Sequence, residues 1–282
     1  MKLANEKQVK IKYLPLKDYL IDVKKIEEVL SSKTKIVSFA NSTNTLGGDN
    51  DVKAISDVIK KYNKDIIIIV DAAQSMAHIK TDVKDWNIDF LVCSGHKMFS
   101  ALGISFLWGK FNLLEELEPL MLGGGVVYKF KDNNSFELIS KITGFVAGSP
   151  NVSGIFSFEP AIKYLQKIGL ENISEHGWEL KKYAIKRIRE EKLDITIYNE
   201  NTKCGVLLFN VNNVAGHDVT NYLSNKYNIV IRTGQHCAKL INNTLNVQST
   251  LRASFFIYNS KEEIDILIEA LKKAGDFTSG IF

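Results

Sequence analysis

Long apolar runs, cysteine and proline are all scarce in this chain of 282 residues, and these shortages exclude several classes of protein. The longest apolar run covers residues 66–70, whereas a membrane-spanning helix needs about 20 residues. The first residues lack the apolar core of a secretory signal, and Cys93, Cys204 and Cys237 show no C-x-x-C spacing. We therefore expect no membrane span, no disulfide framework and no metal site, and we expect a reduced, cytoplasmic location.

An excess of charge of one sign is also missing, because 36 Lys and Arg residues face 32 Asp and Glu residues, which leaves a net charge of +4. The paired lysines lie in segments with a helical pattern, so solvated helix faces explain them better than a nucleic-acid footprint. The hydrophobic fraction of 45% is ordinary for a globular protein. The length allows one large domain or two smaller ones.

Strand-length apolar segments alternate with helical patterns in the first half of the chain. Residues 66–70 form a continuous β-branched run, as in a strand buried on both faces of a parallel sheet. A half-exposed edge strand is expected at 9–13, further strands at 36–40, 90–93 and 104–108, and a helix at 52–62. This order predicts an α/β large domain with a mostly parallel sheet over residues 1–160.

The pattern changes after residue 154. Helices are expected at 155–168, 173–192, 219–226 and 262–273, and strands at 206–210 and 229–232. This arrangement predicts a second, smaller α+β domain over residues 161–282.

Polar side chains follow two successive strands of the predicted sheet. Asp71 and Gln74 follow the strand at 66–70, and Ser94, His96 and Lys97 follow the strand at 90–93. Ligands bind beyond the carboxyl ends of such strands, where an aspartate can hold a pyridine nitrogen protonated and a lysine can form an imine. Ser94 and His96 can supply donors to a phosphate. The alternatives are a turn-forming aspartate and a solvated lysine.

A loop cysteine and a lone arginine are the other candidates. Arg232 and Cys237 share the run R-T-G-Q-H-C, and an arginine and a histidine close to a cysteine favour a reactive, exposed thiol. Arg252 interrupts an apolar stretch, so it needs an anionic partner, for which a carboxylate is the best match. A loop cysteine without a role and a structural salt bridge are the alternatives. Cys93 and Cys204 are expected to fill the core.

Six motifs, taken in order, resemble those of the cysteine desulfurases, and more narrowly the SUF-type, group II branch within the class V aminotransferase fold. They are V-D-A-A-Q at 70–74, S-G-H-K at 94–97, G-G-G at 123–125, A-G-S-P-N at 147–151, R-T-G-Q-H-C-A at 232–238 and L-R-A-S-F-F-I-Y-N at 251–259. The resemblance extends from about residue 14 to residue 273. It implies fold type I of the enzymes that depend on pyridoxal 5′-phosphate.

The resemblance also implies a role for each candidate residue. Lys97 would carry the cofactor, Asp71 would pair with its ring nitrogen, and Gln74 would contact its ring oxygen. The residues implied to hold the phosphate are Ser94, His96 and, from the second copy of a homodimer, Ser149. The residues implied to bind the carboxylate of L-cysteine are Asn44 and Arg252, with Arg232 nearby. Cys237 would become a persulfide, leaving alanine, and would pass its sulfur to an acceptor protein for iron–sulfur cluster assembly.

Departures from the family pattern leave other functions open. The family carries a further segment before the position of Met1, so the resemblance predicts an N-terminally truncated member or an incomplete, inactive homologue. That segment supplies the residue that stacks on the cofactor ring, and no residue here is assigned to this role. A selenocysteine lyase shares the fold and cofactor. A class V aminotransferase without desulfurase activity is disfavoured by Cys237, because transamination needs no thiol nucleophile.

Overall fold

The computed structural model of the protein describes residues 2–131, 135–139 and 142–274. The end of the predicted small domain, residues 275–282, lies outside the described residues. In chain order the helices and strands are α1 (Lys2–Glu6), β1 (Leu16–Lys17), β2 (Leu20–Ile21), α2 (Ile26–Val29), β3 (Ile36–Ala40), α3 (Val52–Tyr62), β4 (Ile67–Asp71), β5 (Phe90–Ser94), β6 (Ser105–Gly109), α4 (Phe111–Glu115), β7 (Val127–Phe130), β8 (Phe136–Leu138), α5 (Val152–Ile168), α6 (Leu170–Glu190), β9 (Ile195–Ile197), β10 (Val206–Val211), α7 (Gly216–Tyr227), β11 (Arg232–Gly234), α8 (Lys239–Leu245), β12 (Thr250–Ser254) and α9 (Lys261–Ala274).

The first half of the chain forms a sheet in the order β3-β4-β5-β6. The first three strands are parallel, as predicted, and β6 pairs antiparallel with β5. Ala40 of β3 pairs with Asp71 of β4, which in turn pairs with Val92 of β5, so the carboxyl ends of three strands meet at one edge. Helix α3 begins after Asp51, whose side chain accepts a bond from Ala54 N, and buries Ile55 and Ile59 on its apolar stripe.

The second half of the chain forms an antiparallel sheet in the order β11-β12-β10-β9. Helices α6, α7 and α9 contribute to its core, in which Leu207, Phe209, Leu223 and Ile268 are completely buried. Because β12 lies inside this sheet, Arg252 is held by neighbours on both sides, pairing with Leu208 in β10 and Arg232 in β11. Arg232 and Arg252 therefore lie side by side on neighbouring strands of one sheet.

Two apolar clusters meet along α6. The first extends from Ile26 to Ile173 and surrounds the parallel sheet, whereas the second begins at Leu180 and surrounds the antiparallel sheet. The predicted domain division after residue 160 lies within α5 and stays a prediction. No helix in the described ranges is both long enough and apolar enough to cross a bilayer.

The predicted edge strand at 9–13 is wrong. These residues are not in a strand, and Val9, Ile11 and Tyr13 are exposed. Alternation of apolar and polar residues indicates a strand only where a neighbouring strand supplies backbone partners, and none of the described strands pairs with this segment.

The predicted strand at 229–232 is also displaced. Residues 229–231 are not in a strand, and β11 begins at Arg232. Asn228 adopts a left-handed conformation after α7, and the N–H groups of Asn228 and Ile229 donate to the carbonyls of Ser224 and Leu223. These bonds close the end of α7, so Ile229 has no free N–H for a sheet.

Candidate active site

A cavity of about 380 Å³ lies at the carboxyl edge of the parallel sheet, within the range of volumes usual for small-molecule sites. Its walls come from the segments that follow β3, β4 and β5, and from α6 and β12. Five residues predicted from the sequence line it, namely Asn44, Gln74, His96, Lys97 and Arg252. The tertiary structure therefore brings together residues that are up to 208 positions apart in the chain.

The other five predicted residues, Asp71, Ser94, Ser149, Arg232 and Cys237, are not among the cavity-lining residues. Asp71 is exposed at the end of β4, and its Oδ1 accepts a bond of 2.9 Å from Ala73 N, as a turn-forming aspartate does. The hydroxyl of Ser94 lies 3.0 Å from Nδ1 of His96, which links it to a residue of the cavity wall. Ser149 is exposed.

Lys97 lies in a short 3-10 helix, Gly95–Met98, which turns the chain at the end of β5. Gly95 is required there, because a Cβ would lie 2.7 Å from Phe158 and 2.9 Å from the Ile104 carbonyl. Lys97 is half-buried, and no described residue forms a hydrogen bond or ion pair with it. Its ammonium is therefore available to a ligand in the cavity.

Arg252 reaches from β12 to the segment that follows β3. Its Nη1 donates a bond of 2.6 Å to the backbone carbonyl of Asn44, while its buried Nε has no partner among the described residues. Burial lowers the pKa of Arg252 from its usual value, and repulsion from Arg232 lowers it further. A buried donor without an acceptor is costly, so this side chain is suited to a bound anion.

The loop that carries Cys237 is anchored to both halves of the site. The side chain of Asn44 donates a bond of 2.7 Å to the backbone carbonyl of His236, and His236 Nε2 lies 2.9 Å from Thr250 Oγ1 on β12. Burial lowers the pKa of His236, with a further contribution from Arg252, so its imidazole is neutral at physiological pH. These contacts show that His236 positions the loop.

Cys237 itself is exposed, which the sequence alone does not show. Nη2 of Arg232 donates to its Sγ over 3.2 Å. His236 and Cys237 both have positive φ, at 51° and 59°, which is uncommon for residues with a Cβ. Backbone strain of this kind clusters at functional sites.

The two remaining cysteines are both buried, but they differ in their position relative to the cavity. Cys93 fills the core of β5, as predicted, and burial, with a contribution from Asp71, raises the pKa of its thiol to about 11. Cys204 is buried but also lines the cavity, which the sequence did not indicate. Its Sγ lies beside Gly47, where a Cβ would be only 2.2 Å from the sulfur.

Comparison with known proteins identifies the family. The family model for aminotransferase class V matches residues 1–267. A probable cysteine desulfurase of Ureaplasma parvum is 37% identical over 282 residues, covering 99% of this chain and 69% of the relative. One from Halalkalibacterium halodurans is 38% identical over 273 residues, covering 96% of this chain and 66% of the relative.

Solved structures agree with this assignment. The crystal structure of the cysteine desulfurase CsdA of Escherichia coli matches with a TM-score of 0.90 at 29% identity, covering 98% of this chain and 68% of that one. The apo cysteine desulfurase of Thermococcus onnurineus matches with a TM-score of 0.88 at 29% identity, covering 96% of this chain and 68% of that one. The chain spans about two thirds of the length of these relatives.

The fold and the site thus define a pyridoxal phosphate-dependent transferase of fold type I. The chain belongs to the class V aminotransferase family, and the predicted resemblance to cysteine desulfurases is confirmed.

The cavity fits the cofactor of this family. It contains Lys97, for which the described residues supply no partner, and the imidazole of His96, which is linked to the Ser94 hydroxyl. Arg252 adds a buried Nε, also without a partner in the described part of the chain, as a donor for the carboxylate of an amino acid. Of the described residues, no group of three or more His, Cys, Asp or Glu is arranged to hold a metal ion.

Proposed function

We propose that this protein is a cysteine desulfurase of the SUF type, which converts L-cysteine to L-alanine and leaves sulfur as a persulfide on Cys237. The observation that carries the proposal is the bond between the Asn44 side chain and the His236 carbonyl. Asn44 lines the cavity that contains Lys97, and His236 directly precedes the exposed Cys237. This contact therefore links the loop of a thiol nucleophile to the wall of a lysine-containing amino-acid site.

Five residues would hold pyridoxal 5′-phosphate. Lys97 would bind it covalently, Asp71 would pair with its ring nitrogen, and Gln74 would contact its ring oxygen. Ser94 and His96 would donate to its phosphate. The bound cofactor supplies an electron sink for bond changes at the α and β carbons of an amino acid.

The substrate carboxylate would lie against Arg252 and Asn44, with Arg232 nearby. Nη1 of Arg252 already donates to the Asn44 carbonyl, and this bond fixes the orientation of the guanidinium group. Its Nε is left to bind an anion. An arginine held in this way lowers the entropy lost when the substrate is oriented. Lys97 Nζ would then accept and return protons at the substrate carbons.

Cys237 would supply the nucleophile. Its Sγ would form a bond to the sulfur of L-cysteine while the carbon–sulfur bond of the substrate breaks. A proton takes the place of sulfur on the β carbon, so one L-cysteine and one thiol give one L-alanine and one persulfide. Arg232, whose Nη2 lies 3.2 Å from this sulfur, would stabilise the anionic form during the attack.

The proposed partners follow from this chemistry. The persulfide needs an acceptor protein, which we propose belongs to iron–sulfur cluster assembly in the cytoplasm. A homodimer would bring Ser149 of each copy to the phosphate of the other. The region before Ser149 supports such an interface, because Leu120, Met121, Tyr128 and Phe130 are at least 70% exposed.

The first experiment is a titration of the purified chain with pyridoxal 5′-phosphate, following the visible absorption of the lysine-bound cofactor. A saturable band that is lost in Lys97→Ala is expected. A band that is the same in both proteins would contradict the assignment of Lys97.

The second experiment measures alanine and protein-bound sulfur after addition of L-cysteine. Wild type should release alanine and gain one sulfur atom on Cys237, detected by peptide mass spectrometry. Cys237→Ala should lose the bound sulfur and keep the cofactor band. Normal sulfur transfer to an acceptor by Cys237→Ala would refute the proposed mechanism.

A further inference from the structure

A buried lysine outside the cavity has no role in the proposed reaction. Lys181, on α6, has no exposed surface, and none of the described carboxylates lies within the 4.0 Å of an ion pair with it. Glu200 acts on it only at longer range and is itself paired with Arg189. Burial lowers the pKa of Lys181. A lysine buried in this way is costly, and it is retained only where its hydrogen bonds compensate.

The hydrogen bonds of Lys181 all point to one short segment. Its Nζ donates to the carbonyls of Asn199 and Thr202, at 2.5 and 2.8 Å, and lies 3.1 Å from the hydroxyl of Thr202. The sulfur of Cys204 lies 3.7 Å away. The ammonium of Lys181 therefore cross-links Asn199 and Thr202 and stabilises the turn between β9 and β10.

The same turn contacts residues 41–50, the segment after β3 that forms part of the cavity wall and that we call the cavity loop. The carbonyl of Leu46 accepts a bond of 2.6 Å from Asn199 Nδ2 and lies 3.1 Å from Thr202 Oγ1. Leu46 is two residues from Asn44. The carbonyl of Asn44 accepts a hydrogen bond from Arg252, and its side chain donates one to the loop that carries Cys237. Lys181, Asn199, Thr202 and Leu46, which we call the clasp, thus connect α6 to the cavity wall.

We propose that Lys181 is a positioning residue, which acts through the clasp to keep Asn44 and Arg252 in place for the carboxylate of the amino-acid substrate. This inference rests on the proposed function for the identity of the substrate. The contacts from Lys181 to Leu46 do not depend on it.

The test compares Lys181→Met with Lys182→Met in the full chain loaded with cofactor. Methionine keeps an unbranched apolar stem, has a side chain one atom shorter than that of lysine, and donates no hydrogen bond. Lys182 is the matched control, because it is adjacent and half-exposed. Its Nζ lies 3.8 Å from Glu175 and, like that of Lys181, lies over the Trp178 ring, at 5.5 Å from the ring centre. For Lys181→Met we expect KM for L-cysteine to rise about tenfold and kcat to change less than about threefold, since the lost contact orients the substrate.

Amide hydrogen exchange of residues 41–50 in the absence of substrate is the second readout. Lys181→Met should speed exchange in this loop, whereas Lys182→Met should leave exchange and KM unchanged. A fall in thermal stability with unchanged loop exchange and unchanged KM would overturn the inference, because it would show a merely structural lysine. If wild type does not turn over L-cysteine, the proposed function fails, and loop exchange still tests the clasp.

A milder variant keeps the inference testable if Lys181→Met fails to fold. Thr202→Val keeps the shape of the side chain and removes the hydroxyl that lies between Lys181 and Leu46. It should produce the same changes, with a smaller amplitude. Unchanged exchange and KM in a folded Thr202→Val would likewise count against the clasp.

Discussion

Replacing Gly47 by alanine is the change with the clearest expected consequence for the cavity wall. Gly47 has a φ of +65°, and an added Cβ would lie 2.2 Å from Cys204 Sγ and 2.9 Å from Cys204 Cβ. Both atoms belong to a buried side chain next to the clasp, so neither can move freely. Alanine must therefore push the cavity loop and the turn between β9 and β10 apart.

The magnitude follows from two contributions. A left-handed conformation costs an alanine about 1–2 kcal/mol. Overpacking of a filled site costs about 1–3 kcal/mol more. We expect Gly47→Ala to lower the free energy of unfolding by about 2–5 kcal/mol.

Urea unfolding of the wild type and four variants tests this reasoning. Gly124→Ala is the control, since no described residue other than its chain neighbours has an atom within 4 Å of the added Cβ, and its φ is not positive. Cys204→Ala removes the closest atom, so the double variant should recover part of the overpacking contribution and none of the backbone contribution. The reasoning is refuted if Gly47→Ala is as harmless as Gly124→Ala, or if the two changes at Gly47 and Cys204 simply add.

Two further predictions concern a buried carboxylate and the thiols. Asp89 accepts bonds from Lys60 at 2.6 Å and Lys110 at 2.7 Å, so Asp89→Asn should destabilise the protein by about 3 kcal/mol in urea unfolding near neutral pH. Burial alone would raise the pKa of Asp89, but the hydrogen bonds from the two lysines outweigh burial and lower the pKa. The stabilisation by Asp89 is therefore fully present above the unfolded-state pKa of about 4. It disappears as the pH falls through the lower folded-state pKa. A difference from wild type that does not narrow in acid would contradict this. Iodoacetamide should modify exposed Cys237 in the native protein and buried Cys93 only after unfolding, as read by peptide mass spectrometry; equal rates would contradict the structure.

Local pattern was enough for much of the fold. The strands that end at Asp71 and Ser94 follow from short apolar runs, and α3 follows from a 3.6-residue apolar repeat. Both signals are properties of neighbouring residues. The pattern failed at residues 9–13 and 229–231. In the first segment a strand needed a distant partner, and in the second the backbone N–H of Ile229 was already used to close a helix.

The sequence by itself determined the chemistry available to this protein: a lysine and an aspartate at neighbouring strand ends, a loop cysteine and an arginine in an apolar strand. The tertiary structure alone decided which of these residues share a cavity, because contacts such as Arg252 with Asn44 join residues 208 positions apart. It also revealed the clasp, since a buried lysine in α6 has the same local pattern as a solvated one. Burial and hydrogen-bond partners depend on which segments pack together, and one stretch of sequence does not contain that information.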